Sequence, residues 1–276
     1  METASNELEK GLVELARSGD RKALERLLAR YQPHIYRFGM KMCGDPEDAK
    51  DVLQETMLAV ARNVGDFRGG SSVTTWLYTI ARSFCIKKRR RSKFAPEHEA
   101  SLQSEEGERE VRALADQARG PDELLAGRQI EAALEGAIGS LAPMYREVLV
   151  LRDVEGLSAP EVSEVLGISV EAVKSRLHRA RVSVRNEVAP LLGVPEPSPR
   201  CPDVVTLLSR HMEGEISADL CAQMESHLAG CPGCQSTCDS LRKTLALCRA
   251  NPEPKVPGAV QASVRKAVEA FLTRSD

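Results

Sequence analysis

Leu157-Ser158-Ala159-Pro160-Glu161-Val162-Ser163-Glu164-Val165-Leu166-Gly167-Ile168-Ser169-Val170-Glu171-Ala172-Val173-Lys174-Ser175-Arg176-Leu177-His178-Arg179-Ala180-Arg181 reads as two helices folded about one glycine. Ser158 stands where a hydroxyl can accept from free backbone N–H groups, and Val162, Val165 and Leu166 follow at helical spacing with one apolar face. Gly167 permits the tight turn, because only a residue without Cβ enters the left-handed region at little cost. Ser169 then caps a second helix. Its Val173 and Leu177 pack back on the first, which leaves Glu171, Lys174, Ser175, Arg176, His178 and Arg179 on or beside the outer face. The N-terminal half of such a helix fits a major groove about 12 Å wide and presents donors to base edges and phosphates. The alternative is an ordinary antiparallel helix pair with a solvated basic face. Capped starts, a glycine turn and the density of Arg and Lys favour DNA.

Upstream of this motif, from Asp20 to about Lys93, apolar residues also recur at helical spacing, as in Leu24, Leu27, Leu28 and Ile35 and again in Val52, Leu53, Met57 and Val60. Gly44-Asp45-Pro46 predicts a helix start, with Asp45 as the cap and Pro46 already near helical φ. Asp66 to Ser72 predicts a loop, and a new helix opens near Thr74 or Thr75. That helix carries Trp76, Leu77, Ile80 and Phe84 into Arg82–Lys93, which holds seven Lys or Arg and no acid. The net charge of −2 conceals this segregation, since the charged residues from Glu97 to Glu123 are mostly acidic. Aromatic rings beside cations suit capture of an unpaired strand, so Trp76, Lys87, Lys88, Arg89 and Arg90 are candidate DNA contacts. Taken alone, Trp76 is more at home in a core.

The chain divides into three small helical parts, consistent with 276 residues. Residues 20–95 form the first. Residues 96–121 are an acidic linker, polar and poor in bulky side chains. Residues 122–190 hold the helix-turn-helix. Residues 191–200 form a proline-rich tether, with Pro195, Pro197 and Pro199 favouring extended geometry. Residues 201–250 hold six of the eight cysteines, and 251–276 form a tail with a short helix. The expected class is all-α. No apolar run reaches the roughly 18 residues needed to cross a bilayer, and the polar first residues are unlike a signal peptide. The expected location is therefore the cytoplasm, where thiols are kept reduced and clustered cysteines bind metal or sense redox change rather than pair as disulfides. No membrane partner is expected. Isolated Cys43 and Cys85 read as packing residues.

Asp48-Ala49-Lys50-Asp51-Val52-Leu53-Gln54-Glu55-Thr56-Met57, then Phe67-Arg68-Gly69 and Thr75-Trp76-Leu77-Tyr78-Thr79-Ile80-Ala81-Arg82, resembles region 2 of the extracytoplasmic-function sigma factors. Tyr145-Arg146-Glu147-Val148-Leu149-Val150-Leu151-Arg152 through Val184 resembles their region 4. The resemblance implies two helical sigma domains that engage core RNA polymerase at the β′ clamp helices and β flap, together with promoter DNA. Positions matching Asp51, Gln54 and Glu55 would bind the clamp helices. The loop and helix after Asp66 would open the −10 element, and the second domain would read the −35 element. Two positions depart from the family habit: Ser83, often Asn, and Lys87, often acidic.

Cys201, followed by His227-x3-Cys231-x2-Cys234, resembles the zinc-binding fold of many anti-sigma factors. His227 and Cys231 are one helical turn apart, Pro232-Gly233 would make the knuckle, and Cys201 would close a tetrahedral site. The module is thus zinc-finger-like. Cys221, Cys238 and Cys248 remain as further candidate ligands, and soft thiolates favour copper, cadmium or zinc. The pattern is similar to the CorE type of sigma factor, in which a C-terminal cysteine-rich domain stands in for a separate anti-sigma protein and answers to metal. That resemblance implies zinc or copper as cofactor, cadmium as a further signal, and no separate anti-sigma factor. A redox switch built on spare thiols and a merely structural zinc module are the alternatives. A repressor or activator with one helix-turn-helix would instead use residues 20–95 for dimerisation, which the basic helix and Gly/Ser loop disfavour. An enzyme is not expected: no phosphate-binding glycine loop, nucleophile elbow or paired carboxylate set is present.

Overall fold

The computed structural model describes residues 2–94, 121–194, 201–250 and 256–273. Every regular element among them is helical. The first four helices are α1 (Glu2–Arg17), α2 (Arg21–Cys43), α3 (Pro46–Asn63) and α4 (Val73–Phe94). Next come α5 (Pro121–Ser140), α6 (Pro143–Leu149), α7 (Ala159–Leu166) and α8 (Val170–Val188). The last are α9 (Val204–Met212), α10 (Ala218–Gly230), α11 (Pro232–Ala250) and α12 (Gly258–Leu272). Most of the acidic linker and prolines 195, 197 and 199 lie outside the described residues. The chain forms two compact units, Met1–Ala115 with Glu253–Asp276, and Asp116–Pro252.

In the first unit, Asp45 accepts from the Asp48 N–H and Pro46 opens α3. Gly44 ends α2 in the left-handed region at φ 73°. A Cβ on Gly39 would lie 3.1 Å from the Ala49 Cα, so this glycine is what allows α2 and α3 to approach so closely. Phe38, Ile35, Val52, Leu53, Met57, Leu77 and Tyr78 fill the core. The helix expected near Thr74 or Thr75 starts at Val73, with the Ser72 hydroxyl accepting from the Thr75 N–H.

Two elements of this unit lie outside the expected boundaries. Helix α1 precedes Asp20 and packs on α2, where the Tyr31 hydroxyl donates to Glu9 at 2.6 Å. The short terminal helix, read as part of a tail, is α12, and it packs on α3 through buried Val260, Val264 and Val268. Arg21 caps it by donating to the Leu272 carbonyl, and Phe271 lies under the Arg62 guanidinium.

In the second unit, α7 begins in a full capping box. Ser158 accepts from the Glu161 N–H while the Glu161 carboxylate accepts from the Ser158 N–H. Gly167 turns the chain at φ 66°, and the Ser169 hydroxyl accepts from the Ala172 N–H to open α8. The α6 helix runs on into a π-type turn, Val150–Val154, which carries Asp153 inward. Helices α9, α10 and α11 form a small bundle in the same unit. Its core holds Val204, Val205, Leu208, Met224, Cys234, Cys238, Leu241 and Leu245.

Candidate functional site

Four ligand atoms converge where the small bundle's three helices meet. Cys201 stands just ahead of α9, whose start is fixed by Asp203 accepting from the Thr206 N–H. His227 lies in the last turn of α10, Cys231 leaves that helix in extended geometry, and Cys234 sits in the first turn of α11. Pro232-Gly233 is therefore a helix start rather than a free knuckle. The ligand atoms of Cys201, His227, Cys231 and Cys234 all lie within 4.8 Å of one another. The Cys201 and Cys231 Sγ atoms are 3.9 Å apart, and His227 Nε2 is 3.2 Å from Cys234 Sγ. Ligands about 2.3 Å (S) and 2.0–2.1 Å (N) from a tetrahedral zinc ion stand about 3.5–3.8 Å from each other, so this donor set fits such an ion.

The thiols are already polarised against one another. Hydrogen bonding from the Cys234 N–H at the α11 N-terminus draws the Cys231 thiol below its ordinary value. Burial, and then the neighbouring Cys201 and Cys231, push Cys234 up to about 12. A divalent cation among them would neutralise that mutual repulsion.

The other candidate thiols do not join the four. Cys238 and Cys248 are buried, and Cys238 Sγ faces the Val204 carbonyl from inside the apolar core. Cys221 lies half-buried beside His211 and Glu225. In the first unit Cys85 is buried and Cys43 half-buried, and a hydrogen bond between them draws the Cys43 thiol down.

The reading of α8 holds for Val173 and Leu177, which are buried, and for Ser169, Glu171, Ser175 and Arg179, which are exposed or half-exposed; Lys174 and Arg176 are on the same footing. His178 requires a correction. It was expected on or beside the outer face and is buried, because α9 and the segment after it cover that side of α8. Its Nδ1 lies 2.9 Å from the Ser209 hydroxyl and its Nε2 2.5 Å from Glu215. Lys174 Nζ is 3.9 Å from the same Glu215 carboxylate.

One turn on, fully buried Arg181 forks onto both oxygens of Asp153 at 2.7 and 2.8 Å and reaches Glu213 at 2.9 Å. Arg152 meets Glu213 from the other side at 3.3 Å, and Arg185 donates to Ser240 on α11 at 2.8 Å. The cysteine module thus grips the proposed recognition helix through Glu213, Glu215, Ser209 and Ser240. Sequence reasoning passed over this network. Its one local signal was Arg181 lying in the apolar stripe of Val173, Leu177, Val184 and Val188.

On α3, Asp51 and Glu55 are exposed and Gln54 is half-buried, three positions that share one helix face. Gln54 accepts from Ser263 of α12 at 3.4 Å. Lys88 pairs with Asp51 and, at 3.1 Å, with Asp48, so one candidate DNA contact is held by one candidate polymerase contact. Lys87 lies over the Phe84 ring at 4.8 Å, while Arg89 is half-buried and Arg90 exposed. Trp76 is half-buried with its ring 5.0 Å from Phe67.

Three family models match the chain: sigma-70 region 2 over residues 27–94, sigma-70 region 4 over 131–184, and a zinc-finger family over 201–235. The RNA polymerase sigma-H factor of Pseudomonas aeruginosa is 32% identical over 192 residues, covering 68% of this chain and 97% of that protein. The ECF RNA polymerase sigma factor SigW of Bacillus subtilis is 28% identical over 179 residues, covering 65% and 96%. Among solved structures, CnrH in complex with the cytosolic domain of CnrY is similar at 25% identity and a TM-score of 0.47, covering 68% of this chain and 99% of that one. The sigma factor RpoE of Bartonella quintana, in complex with the anti-sigma factor NepR, is similar at 22% and 0.44, covering 63% and 99%. The expectation of no separate anti-sigma factor is corrected here, since the RpoE chain was solved in complex with the anti-sigma factor NepR and CnrH in complex with the cytosolic domain of CnrY.

Proposed function

The chain belongs to the extracytoplasmic-function branch of the sigma-70 family, whose members direct transcription initiation by RNA polymerase, and on that premise we propose that metal bound by its C-terminal cysteine module sets its activity. The carrying observation is that the cluster of Cys201, His227, Cys231 and Cys234 belongs to the same small bundle that holds His178 and Lys174 of α8 through Ser209 and Glu215. A helix so held cannot offer those two side chains to DNA. An ion that favours one packing of the bundle over another shifts the population of chains able to read a promoter.

In this reading α8 meets the −35 element, with Arg176 and Arg179 at base edges or phosphates. The helix carrying Trp76 and Lys87 to Arg90 meets the −10 element, and Asp51, Gln54 and Glu55 meet the clamp helices. Zinc is the ion that the donor set supports, and copper and cadmium are the soft competitors, in the manner of the CorE type that the cysteine content resembles. The chain works in the cytoplasm. No helix of the described residues is long and apolar enough to cross a membrane. The polymerase supplies the chemistry.

Run-off transcription with core polymerase, a metal series and a chelator control tests the proposal. Transcription that changes with one ion and reverts with chelator is expected, and a flat response to every ion would defeat metal control. A structural zinc is the second reading. It is favoured by the closed set of four protein ligands, since structural sites leave no open position. Under it, Cys231→Ala and Cys234→Ala unfold the bundle and leave no metal dose response to lose.

A further inference from the structure

We propose that the Lys88 ion pair couples two surfaces of the first unit, so that polymerase on Asp51 releases Lys88 to a DNA phosphate and DNA on Lys88 releases Asp51 to polymerase. The coupling rests on Asp51 meeting polymerase and Lys88 meeting DNA, and adds to that reading how each occupant prepares the site for the other. Asp48 and Asp51 stand three residues apart on α3, neighbours on a single helix face. Lys88 reaches across from α4, pairs with the Asp51 carboxylate and lies 3.1 Å from Asp48 Oδ1. One ammonium carries three donors and can serve both carboxylates at once. Burial opposes its charge, yet the Asp51 and Asp48 carboxylates raise the Lys88 ammonium above its ordinary value, so the charged, bridged form is the stable one. Lys88 therefore links α4 to α3, whereas Lys87 lies over the Phe84 ring of its own helix.

An ammonium and a carboxylate that hold each other are both less available to a third charge. Whichever occupant arrives first has to part Lys88 from Asp51, and the second then binds without that cost. This is positive cooperativity, and it is reciprocal. The Lys88 side chain is 24% exposed and that of Asp51 52%, so solvent screens the pair and the coupling amounts to no more than about fivefold in either affinity. Asp48 still holds the ammonium when Asp51 is taken, which keeps the effect on that modest scale.

The test is the anisotropy of a fluorescein-labelled, mixed-sequence single-stranded oligodeoxynucleotide titrated with the full-length protein, alone and bound to core polymerase, over a range of salt. In the free protein Asp51→Asn is expected to tighten binding about two- to fivefold and to steepen the log–log salt dependence by up to about 0.7, the mark of one further phosphate contact on a single strand. Adding Lys88→Met is expected to cancel both gains. In the polymerase complex, Lys88→Met by itself is expected to weaken binding more than it does in the free protein. A gain from Asp51→Asn that is equally large with Lys88→Met present comes from charge removal alone and overturns the coupling, as does a Lys88→Met loss of the same size in the free protein and in the complex. Competition with another sigma factor for core polymerase reads the underlying roles separately. If Asp51→Asn leaves core affinity unchanged, or Lys88→Met leaves oligonucleotide binding by the complex unchanged, the roles fail and the coupling fails with them. Intact roles beside additive effects of the two substitutions defeat the coupling alone.

Discussion

At the scale of single residues, the decisive side chain is Arg181. A guanidinium taken wholly out of water must be matched, and here Asp153 and Glu213 match it with three hydrogen bonds. Removing one partner of such a buried pair leaves the other charge uncompensated. Arg181→Ala is therefore expected to lower the stability of the second unit by about 3–5 kcal/mol, read from urea unfolding. Glu215 has the opposite character, being half-exposed and holding His178 and Lys174 at the rim. Glu215→Gln with Ser209→Ala is expected to cost about 1–3 kcal/mol of stability, because the buried His178 ring loses its Ser209 partner, and to raise run-off transcription several-fold without added metal. No rise in transcription would mean that the grip on α8 does not limit promoter reading. The identity of the groups that bind Arg181 was not legible locally. Its place in an apolar stripe announced burial, but the carboxylates come from a π-type turn 28 residues earlier and from the cysteine module 32 residues later.

At the scale of elements, the helix-turn-helix was legible almost atom by atom, because caps and turns are local hydrogen-bond problems. Ser158, Gly167 and Ser169 each do what their chemistry predicts. Ser169→Ala is expected to cost about 1 kcal/mol by orphaning the Ala172 N–H. Gly167→Ala, at φ 66°, should cost about 1–2 kcal/mol from Cβ strain. Thermal unfolding of the two variants checks both, and a stable Gly167→Ala protein would show that the turn relaxes. What the period of an element does not reveal is which neighbour covers its second face. Helix α8 shows apolar residues on one side and cations on the other, which reads as core against solvent or DNA. Part of that polar side is covered instead by α9, and His178 is buried with it.

At the scale of the whole molecule, removing metal and reversing charge probe different functions. Chelation is expected to loosen the bundle of α9 to α11, since structural zinc binding is itself folding free energy, and to lower its melting temperature reversibly. A bundle equally stable in chelator would remove zinc from the account. Asp51→Lys with Glu55→Lys should weaken association with core polymerase at least about tenfold, measured by competition with another sigma factor, while leaving metal uptake unchanged. By itself the sequence determined the all-helical class, the family, the caps and turns, and which four Cys and His residues come together in the cysteine module. Each of these rests on residues whose meaning is carried by short spacings or by donor chemistry. Tertiary structure alone decided that α12 lies on α3 beside Gln54, that Lys88 is held by Asp48 and Asp51, and that Glu213 and Glu215 hold α8. Those contacts join segments with no common period. A charged side chain carries no mark of which distant opposite charge will satisfy it, and only the packed chain chooses among them.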